Sequence, residues 1–330
     1  MKALLSKAPG APETLELDDI DAPVAGKGQV VVDVKAVGVN YPDVLMLQDM
    51  YQFKPQRPFA PGGELAGVIS SIGEGVTGMK PGDRVMGSLG TGGMAEQVAV
   101  DATRVRPFPE EMSFEEAAAL LMTYGTSYYA LKDRGNIKPG ESLLVLGAAG
   151  GVGLAAVELG KAMGMTVIAA CSTQEKVDLC LEKGADKGLV YPSGDLDRAQ
   201  QKELSEQIKT LGGGGVDVIY DAVGGAYAEP SLRAMNWDGR FLVIGFPAGI
   251  PKMPLNLTLL KSCQIVGVFW GAAVARDPEA NEQNIRELFD LYKAGKIKPH
   301  VSNTYPLAEG AKAIRELMDR KAKGKVVVTI

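Results

Sequence analysis

The chain has 330 residues, more than one typical hydrophobic core holds, so we expect two domains. Hydrophobic residues make up 46% and charged residues 23% of it, a globular composition that excludes a disordered or membrane-embedded chain. The formal net charge of −5 argues against nucleic acid or a membrane surface as a partner. No apolar segment of signal-peptide length follows Met1, so the cytoplasm is the expected location.

Metal ligands are scarce in this chain. It has three cysteines, Cys171, Cys180 and Cys263, without ligand-like spacing, and one histidine, His300. A zinc site needs several Cys or His ligands, and a Ser-His-Asp hydrolase would have to use His300. We therefore expect no metal site, no disulfide framework and no hydrolase triad.

Residues 1–110 show strand-like patterns separated by turns. Apolar or alternating runs predict strands at 15–20, 30–37 and 65–72, with Gly- or Pro-containing turns between them. A short helix is predicted at 44–47, after Asn40 to Asp43. Many short strands with this punctuation predict a compact, β-barrel-like domain.

From residue 113 the pattern changes to helices alternating with strands. Ser113 and Glu116 form a capping box that predicts a helix to residue 121, and a second helical segment covers 126–133. Strands are predicted at 143–146, 166–170, 188–191, 216–221, 239–245, 264–270 and 325–330, and helices at 154–163, 174–183, 197–210, 280–294 and 308–321. This alternation predicts βαβ units and a doubly wound parallel sheet, an α/β fold.

Residues 142–157 contain the most informative motif. An apolar strand leads through a glycine-rich turn into a helix, so that backbone N–H groups and the helix dipole face an anion. The dinucleotide-binding fingerprint fits in two registers, Gly151-x-Gly153-x-x-Ala156 and Ala148-x-Gly150-x-x-Gly153, and the neighbouring segments favour the second. Plain helix-on-sheet packing is the alternative explanation for such small residues. The candidate phosphate contacts are Ala149, Gly150, Gly151 and Val152.

Five motifs in a characteristic order carry a family likeness. They occupy residues 39–44, 61–68, 78–85, 148–153 and 220–225. With them the chain resembles, over nearly its whole length, the zinc-independent, zeta-crystallin-like NADPH:quinone oxidoreductase branch of the medium-chain dehydrogenase/reductase superfamily. The resemblance implies a GroES-like, β-rich substrate domain, an inserted Rossmann domain and a homodimer. We accordingly assign 1–122 to the substrate domain, 123–265 to the NADPH-binding Rossmann domain and 266–330 to the return into the substrate domain.

The chain departs from the zinc-dependent branch of this superfamily at the metal ligands. Where those enzymes carry a metal-binding cysteine this chain has Asn40, and their Gly-His-Glu is replaced by Gly62-Gly-Glu64. Their cysteine-rich lobe has no counterpart here. The expected reaction is therefore hydride delivery to an acceptor that is already electron-poor, and alcohol dehydrogenation is disfavoured.

The segment after the second Rossmann strand bears on the choice of cofactor. NAD enzymes place a carboxylate about 20 residues after the glycine motif to hold the ribose 2′-OH. Here residues 170–173 read Ala-Cys-Ser-Thr and Lys176 follows, so that hydroxyls and an ammonium are available to a 2′-phosphate. This pattern favours NADPH over NADH, with Ser172 and Lys176 as contacts. The alternatives are a helix-capping box of Ser172 with Glu175 and a solvated Lys176.

The resemblance implies roles for four residues near the nicotinamide and the substrate. It assigns Asn40 to the nicotinamide and to catalysis, whereas Asn40 and Asp43 are also explained as Asx-turn residues. Tyr51 matches a substrate-pocket tyrosine that stacks on a quinone or donates a proton, or is a packed loop aromatic. Thr126 matches a threonine at the nicotinamide end, or is a helix N-cap. Lys325 matches a cofactor-contacting lysine, or is a surface charge.

Residues at strand ends complete the candidate site. Tyr191 resembles the family's adenosine-side tyrosine, with a core or rim tyrosine as the alternative. Ile244 and Phe246 end a strand at the carboxyl edge, where ligands gather in open α/β sheets. Phe269 and Trp270 follow a further strand and either cover the nicotinamide or form a dimer edge.

Three functions are compatible with these residues. The first is NADPH-dependent hydride transfer to a quinone or a similar electron-poor conjugated carbonyl, without zinc. The second is a 2-alkenal or enoyl-thioester reductase, whose enolate needs a proton that Tyr51 would supply. The third is an NADPH-binding sensor or scaffold without turnover. Asn40, Tyr51 and Thr126, together with the cofactor motif, favour an enzyme that acts on a small molecule.

Overall fold

The computed structural model describes residues 1–330, and the chain divides into two compact units. Unit 1 comprises Met1–Met122 and Pro299–Ile330, and unit 2 comprises Thr123–Lys298. The chain therefore leaves unit 1 once and returns to it once. None of its helices combines the length and the apolar composition that crossing a membrane requires.

The N-terminal part of unit 1 consists mainly of short strands. Its elements are β1 (Lys2–Leu5), β2 (Glu16–Asp19), β3 (Gln29–Gly38), α1 (Tyr41–Leu47), β4 (Glu64–Ile72), β5 (Arg84–Ser88), β6 (Gln97–Asp101), β7 (Val105–Pro107) and α2 (Phe114–Ala117).

Unit 2 alternates helices with strands. It begins within a helical segment in which α3 (Thr126–Tyr128) is flanked by π-helical turns at Leu121–Gly125 and Tyr129–Arg134. The elements that follow are β8 (Ser142–Leu146), α4 (Gly151–Ala162), β9 (Thr166–Cys171), α5 (Gln174–Glu182), β10 (Lys187–Val190), α6 (Arg198–Leu211), β11 (Val216–Asp221), α7 (Ala228–Arg233), β12 (Met235–Val243), α8 (Asn256–Lys261), β13 (Gln264–Gly267), α9 (Trp270–Arg276) and α10 (Pro278–Lys293).

The chain returns to unit 1 with β14 (Val301–Pro306), α11 (Gly310–Met318) and β15 (Lys325–Thr329). β15 pairs antiparallel with β3, Val327 lying opposite Gly38. It thereby joins a branched sheet of order β14-β15-β3-β4-β5-β7, in which β6 also pairs with β3. Valines of β3, such as Val30, share one buried core with Val328 of β15, so both ends of the chain are needed to complete unit 1.

The six strands of unit 2 form one parallel sheet of order β10-β9-β8-β11-β12-β13. The predicted doubly wound parallel sheet is confirmed. The order reverses between β8 and β11, and the carboxyl ends of two such strands border the crevice where open α/β sheets bind ligands. Leu143 to Leu146 of β8 are fully buried, as expected for a central strand with helices on both faces.

The structure places the second boundary between the units at residues 298 and 299 rather than at 265 and 266. The strand predicted at 264–270 ends at Gly267, and Trp270 begins α9. The amphipathic helix α10 then buries Ile285 and Leu288, and its Asn284 Nδ2 donates to Asp133 of the same unit at 2.6 Å. Residues 270–293 therefore belong to the core of unit 2.

Two predicted helices also have different ends. The helix predicted at 113–121 stops at Ala117, and the backbone N–H of Met122 donates to the Glu64 carboxylate at 2.9 Å. The helix predicted to begin at 154 begins at Gly151.

Candidate active site

The glycine-rich turn lies at the carboxyl end of β8. Gly147 has φ +69°, and Gly150 caps α4 with an extended backbone. A Cβ on Gly153 would lie 2.2 Å from the Gly147 carbonyl oxygen, so only glycine allows α4 to pass this close to the turn. Close packing of helix against strand is the role of the third glycine of the fingerprint, which favours the register Ala148-x-Gly150-x-x-Gly153.

The N-terminus of α4 offers backbone donors to an anion. No side chain caps this helix, and the carbonyl of Gly150 accepts the N–H of Leu154 at 2.8 Å. The first N–H groups of a helix have no partner within it, and the helix dipole favours negative charge at this end. The predicted phosphate contacts Gly151 and Val152 form the first turn, and Ala149 and Gly150 precede it.

The carboxyl end of β9 carries the predicted 2′-phosphate contacts. The helix cap here is Thr173, whose Oγ1 accepts the N–H of Lys176 at 3.3 Å. The capping box predicted for Ser172 and Glu175 is thus wrong, because β9 runs one residue further, to Cys171. Ser172 and Lys176 are half-buried, and no carboxylate occupies residues 170–174.

Tyr191 follows β10 and is buried in the core of unit 2. Its ring packs against Tyr227, with 4.7 Å between the ring centroids. Burial raises the pKa of Tyr191, and the backbone of Gly147 acts on it in the opposite direction. The phenol therefore lies beside the glycine-rich turn. Tyr191 is thus a core residue, as the alternative interpretation predicted, and it also lies next to the predicted cofactor site.

A buried carboxylate organises the carboxyl end of β11. Asp221 accepts the backbone N–H groups of Val223 and Gly224 at 2.9 and 2.8 Å, and burial raises the pKa of its carboxyl. Its carbonyl accepts the N–H of Ile244 at 3.0 Å, which ties the end of β12 to β11. Phe246, two residues on, exposes its side chain. Both predicted residues thus lie at the ligand-binding edge of the sheet.

The two aromatic residues after β13 have different surroundings. Trp270 is 8% exposed, its Nε1 donates to Asn281 Oδ1 at 3.1 Å, and its ring lies against Gly125. Phe269 is 59% exposed. Trp270 is therefore an internal anchor of unit 2, and of the pair only Phe269 offers a ring to a ligand or a second copy.

Thr126 lies inside a continuous helical segment. The preceding Gly125 already has helical torsion angles, so the helix N-cap interpretation of Thr126 is wrong. The next residue, Ser127, donates to the carbonyl of Val152 at 2.9 Å and lies 2.8 Å from the Tyr220 hydroxyl. These bonds tie the segment to the first turn of α4. π-helical turns often mark functional sites.

In unit 1, Asn40 and Lys325 meet at a third residue that the sequence analysis did not select, Glu64. The Lys325 Nζ donates to Glu64 Oε2 at 2.9 Å, to Asn40 Oδ1 at 2.8 Å and to the carbonyl of Val39 at 3.1 Å. The Asn40 Nδ2 donates to Glu64 Oε2 at 2.9 Å and to the carbonyl of Gly38 at 3.1 Å. We call Asn40, Glu64 and Lys325 the amide–ion cluster.

The amide–ion cluster is a buried ion pair with its hydrogen bonds satisfied. The side chains of Lys325 and Glu64 are 5% and 0% exposed. The surface-charge interpretation of Lys325 is therefore wrong. Its three N–H donors all have acceptors within unit 1, so a direct cofactor contact by Lys325 would require one of these bonds to break. Glu64 was detectable as a carboxylate inside an apolar strand sequence, but its partner lies 261 residues away.

Asp43 holds the loop that carries Asn40. Its carboxylate, 1% exposed, accepts the N–H groups of Asn40 at 2.8 Å and Gly62 at 3.0 Å. Burial raises the pKa of Asp43 to about 6, against the lowering effect of the two N–H groups and of Lys325. Asp43 thus organises this loop. The side chain of Asn40 also makes hydrogen bonds to Glu64 and Lys325, which an Asx turn does not explain.

Tyr51 lies in the loop after α1, half-buried against the core of unit 1. Burial raises the pKa of its phenol, and the negative charge of Asp43 raises it further, so the phenol keeps its proton at neutral pH. The same loop is clamped by Arg57, which donates to Asp49 Oδ1 at 2.7 Å and to the carbonyl of Leu47 at 3.1 Å. Arg57 was not selected from the sequence, because nothing local marks an arginine as a loop clamp.

The structure thus gathers the candidates into two sets. Asn40 and Lys325 join Glu64 in unit 1, with Tyr51 in the loop after α1. In unit 2 the candidates share the carboxyl edge of the parallel sheet or follow the strands there: Ala149, Gly150, Gly151, Val152, Ser172, Lys176, Tyr191, Ile244, Phe246 and Phe269.

Comparisons with known proteins agree with this architecture. Residues 26–110 match the family model described as alcohol dehydrogenase GroES-like domain, and residues 151–291 match the one described as zinc-binding dehydrogenase. The quinone oxidoreductase-like protein 2 homolog of Nematostella vectensis is 37% identical over 99% of this chain and 88% of its own length.

Two solved structures are similar over the whole of both chains. The quinone oxidoreductase of Escherichia coli, complexed with NADPH, has a TM-score of 0.90 and 29% identity. The quinone oxidoreductase of Thermus thermophilus, also described with NADPH, has a TM-score of 0.84 and 36% identity. Each covers 100% of this chain, and this chain covers 100% of each.

Proposed function

Because the chain belongs to the medium-chain dehydrogenase/reductase family, we propose that it is an NADPH-dependent reductase that transfers hydride to a quinone or a similar electron-poor conjugated carbonyl without zinc. The names of its relatives support the acceptor class, and the two NADPH complexes support the cofactor.

The observation that carries this proposal is the chemistry of the amide–ion cluster. One of the matching family models is described as zinc-binding, yet zinc in such dehydrogenases is held by thiolates, imidazoles and carboxylates. Here the amide–ion cluster offers one amide, one carboxylate and one ammonium, and no group of three or more His, Cys, Asp or Glu side chains is placed to hold a metal. This set of side chains lacks the ligands that zinc requires, which supports an acceptor that is electrophilic by itself.

The residues of unit 2 fit a dinucleotide with a 2′-phosphate. The uncapped first turn of α4, with Gly151 and Val152, would hold the pyrophosphate. Ser172 and Lys176 would hold the 2′-phosphate, since a hydroxyl and an ammonium attract a dianion that a carboxylate would repel. NADPH, when bound, supplies the hydride.

The protein would contribute position and the exclusion of water. Asn40 and Thr126 are proposed to orient the nicotinamide end, and the bonds to Lys325 and Glu64 fix the direction of the Asn40 amide. Orientation of this kind is the main catalytic contribution available when the cofactor carries out the chemistry. A quinone needs little further help, because the hydroquinone anion is stable and takes a proton from solvent.

The half-buried, protonated Tyr51 favours one second candidate, reduction of a 2-alkenal or an enoyl thioester. Hydride addition to such an acceptor leaves an enolate that needs a proton. Tyr51 is the residue that would donate it.

The decisive experiment is a panel of acceptors with the Tyr51→Phe variant. NADPH oxidation is followed with 1,4-quinones, 2-alkenals and enoyl-CoA esters. We expect turnover with quinones that changes less than about threefold in Tyr51→Phe, whereas a general acid contributes about 10²-fold or more. Turnover of enoyl esters alone, with a large loss in Tyr51→Phe, would establish the second candidate.

The cofactor is tested with Lys176→Ala. We expect this variant to bind NADPH about tenfold more weakly and NADH unchanged, because only the 2′-phosphate meets the ammonium. Lys202→Ala, which removes an exposed lysine from α6 of the same unit, is the matched control. Equal affinity of the unmodified protein for NADH would refute the choice of NADPH.

We also propose a homodimer in the cytoplasm. β13 is the last strand of the parallel sheet and has β12 on one side only. Exposed apolar residues lie on and around it, including Leu259, Leu260, Ile265 and Phe269. A second copy that pairs with this edge would cover both the backbone groups and the apolar side chains. The three cysteines are free thiols, which suits a reducing compartment.

A further inference from the structure

Two thiols that the proposed reaction does not use touch each other inside unit 2. Cys171 is the last residue of β9, and Cys180 lies on the buried side of α5. Their Sγ atoms are 3.8 Å apart, and the residues are 1% and 0% exposed. The third cysteine, Cys263, lies between α8 and β13 and has no such partner among the cysteines.

This pair lies directly under the proposed 2′-phosphate contacts. Ser172 follows Cys171 in the chain, and Lys176 lies one turn before Cys180 on α5. The contact with Cys180 lowers the pKa of the Cys171 thiol against the effect of burial, and the backbone N–H groups of Ala149 and Ala148 lower it further. Cys171 is therefore the sulfur on which a thiolate forms more easily, and the glycine-rich turn stabilises that thiolate.

We propose that Cys171 and Cys180 are a modification site: a hydroperoxide oxidises them to a disulfide, and the disulfide weakens the binding of NADPH. The part of the proposal that concerns NADPH rests on the proposed function. The disulfide itself does not.

The chemistry balances with a peroxide as the oxidant. The Cys171 thiolate attacks one peroxide oxygen, the O–O bond breaks, and a sulfenic acid and hydroxide form. The Cys180 sulfur then attacks the Cys171 sulfur, the S–O bond breaks, and hydroxide leaves as the S–S bond forms. In sum two thiols and hydrogen peroxide give one disulfide and two waters, the sulfurs being oxidised and the peroxide reduced.

The geometry links this bond to the cofactor site. Bond formation closes the sulfur–sulfur distance from 3.8 Å to about 2.05 Å, which draws α5 towards the end of β9. Lys176 moves with α5, and Ser172 moves with Cys171. Because both sulfurs are buried, the peroxide reaches them only when α5 opens locally. A bound 2′-phosphate would restrain the first turn of α5 and so protect the thiols.

The experiment treats the full-length protein with hydrogen peroxide, with and without saturating NADPH, and then blocks the remaining thiols with N-ethylmaleimide in denaturant. Trypsin separates the two cysteines by cutting at Lys176, so a disulfide appears as a cross-linked pair of peptides that dithiothreitol splits. We expect this cross-link in the free protein and a slower appearance with NADPH. Cys263→Ser is the matched control and should behave as the unmodified protein does, whereas Cys180→Ser should form no cross-link.

NADPH affinity is then measured by fluorescence titration of the oxidised and the reduced protein. We expect the oxidised form to bind at least about fivefold more weakly, and by reciprocity NADPH to disfavour the disulfide to the same extent. Three blocked thiols after peroxide treatment, or sulfonic acid at Cys171 without a cross-link, would overturn the modification site. If the cross-link forms but the affinity for NADPH is unchanged, the proposed effect of the disulfide on NADPH binding is wrong. If the reduced protein binds no NADPH at all, the proposed function fails while the cross-link still decides on the disulfide.

Discussion

Removal of the Lys325 ammonium is a direct test of the buried ion pair in unit 1. In Lys325→Met the carboxylate of Glu64 keeps its bonds from Asn40 and from the N–H of Met122 but loses its counter-ion, with its side chain 0% exposed. Breaking a buried ion pair by removing one partner costs about 3–5 kcal/mol. Unit 1 has 154 residues, 122 from its N-terminal and 32 from its C-terminal segment. For that size the loss corresponds to a fall in Tm of about 6–20 °C.

The informative comparison is with the double variant Lys325→Met/Glu64→Gln. It has no unpaired buried charge. Once the lysine is gone, the side-chain amide of Asn40 can rotate so that its oxygen and nitrogen exchange places. We expect the double variant to recover at least about 2 kcal/mol of the loss, because replacing both members of a buried pair costs far less than removing one. Stability is measured by urea unfolding and by calorimetry.

The matched control is Lys7→Met, which breaks an exposed ion pair with Glu16 and Asp18 in the same unit and should leave the Tm unchanged. A double variant less stable than Lys325→Met alone would refute the view that the uncompensated charge dominates. A Tm of Lys325→Met equal to that of Lys7→Met would refute the buried pair itself.

Three further predictions follow from local geometry. Asp43 has a folded-state pKa of about 6, above its unfolded value, so its contribution to stability is largest below pH 4 and is lost as the pH rises to 6. The stability of Asp43→Asn relative to the unmodified protein should therefore increase by up to about 3 kcal/mol between pH 4 and 7, as measured by urea titrations. A change of opposite sign would contradict the buried carboxyl. Gly153→Ala places a Cβ 2.2 Å from the Gly147 oxygen and should weaken NADPH binding more than about tenfold by calorimetry, whereas Gly267→Ala, with open space around its Cβ, should not. Ile265→Lys puts a charge on the free edge of β13 and should give a monomer in light scattering, and a persisting dimer would exclude this edge as the interface.

Local patterns predicted the parts of the site whose physics is local. The glycine-rich turn was predictable because strand, turn and helix follow one another within about fifteen residues, and the requirement for glycine at position 153 arises from a contact only six residues back in the chain. The doubly wound sheet was predictable for the same reason, since the hydrophobic periodicity of each strand and each helix is a local pattern.

The amide–ion cluster could not be derived in this way. Asn40 and Lys325 were selected by resemblance, but the ion pair of Glu64 with Lys325 has no local signal in the sequence, because β15 reaches β3 only through long-range pairing. The capping box at Ser172 failed because the strand before it is one residue longer than its apolar run suggested, so the cap shifts to Thr173. Trp270 was misplaced because an aromatic residue after an apolar run is typical of a strand, whereas its ring packs against Gly125, 145 residues earlier in the chain.

The pairing of β15 with β3 also has a consequence for biosynthesis. The ribosome makes Glu64 long before Lys325, and the whole of unit 2 is translated between them. A domain folds once its residues have emerged, so unit 2, which is contiguous, can complete its core first. Until Lys325 and β15 are synthesised, the carboxylate of Glu64 has no counter-ion and β3 lacks its pairing with β15. We therefore expect unit 1 to remain incompletely folded, and its apolar strands exposed, for longer during synthesis than unit 2.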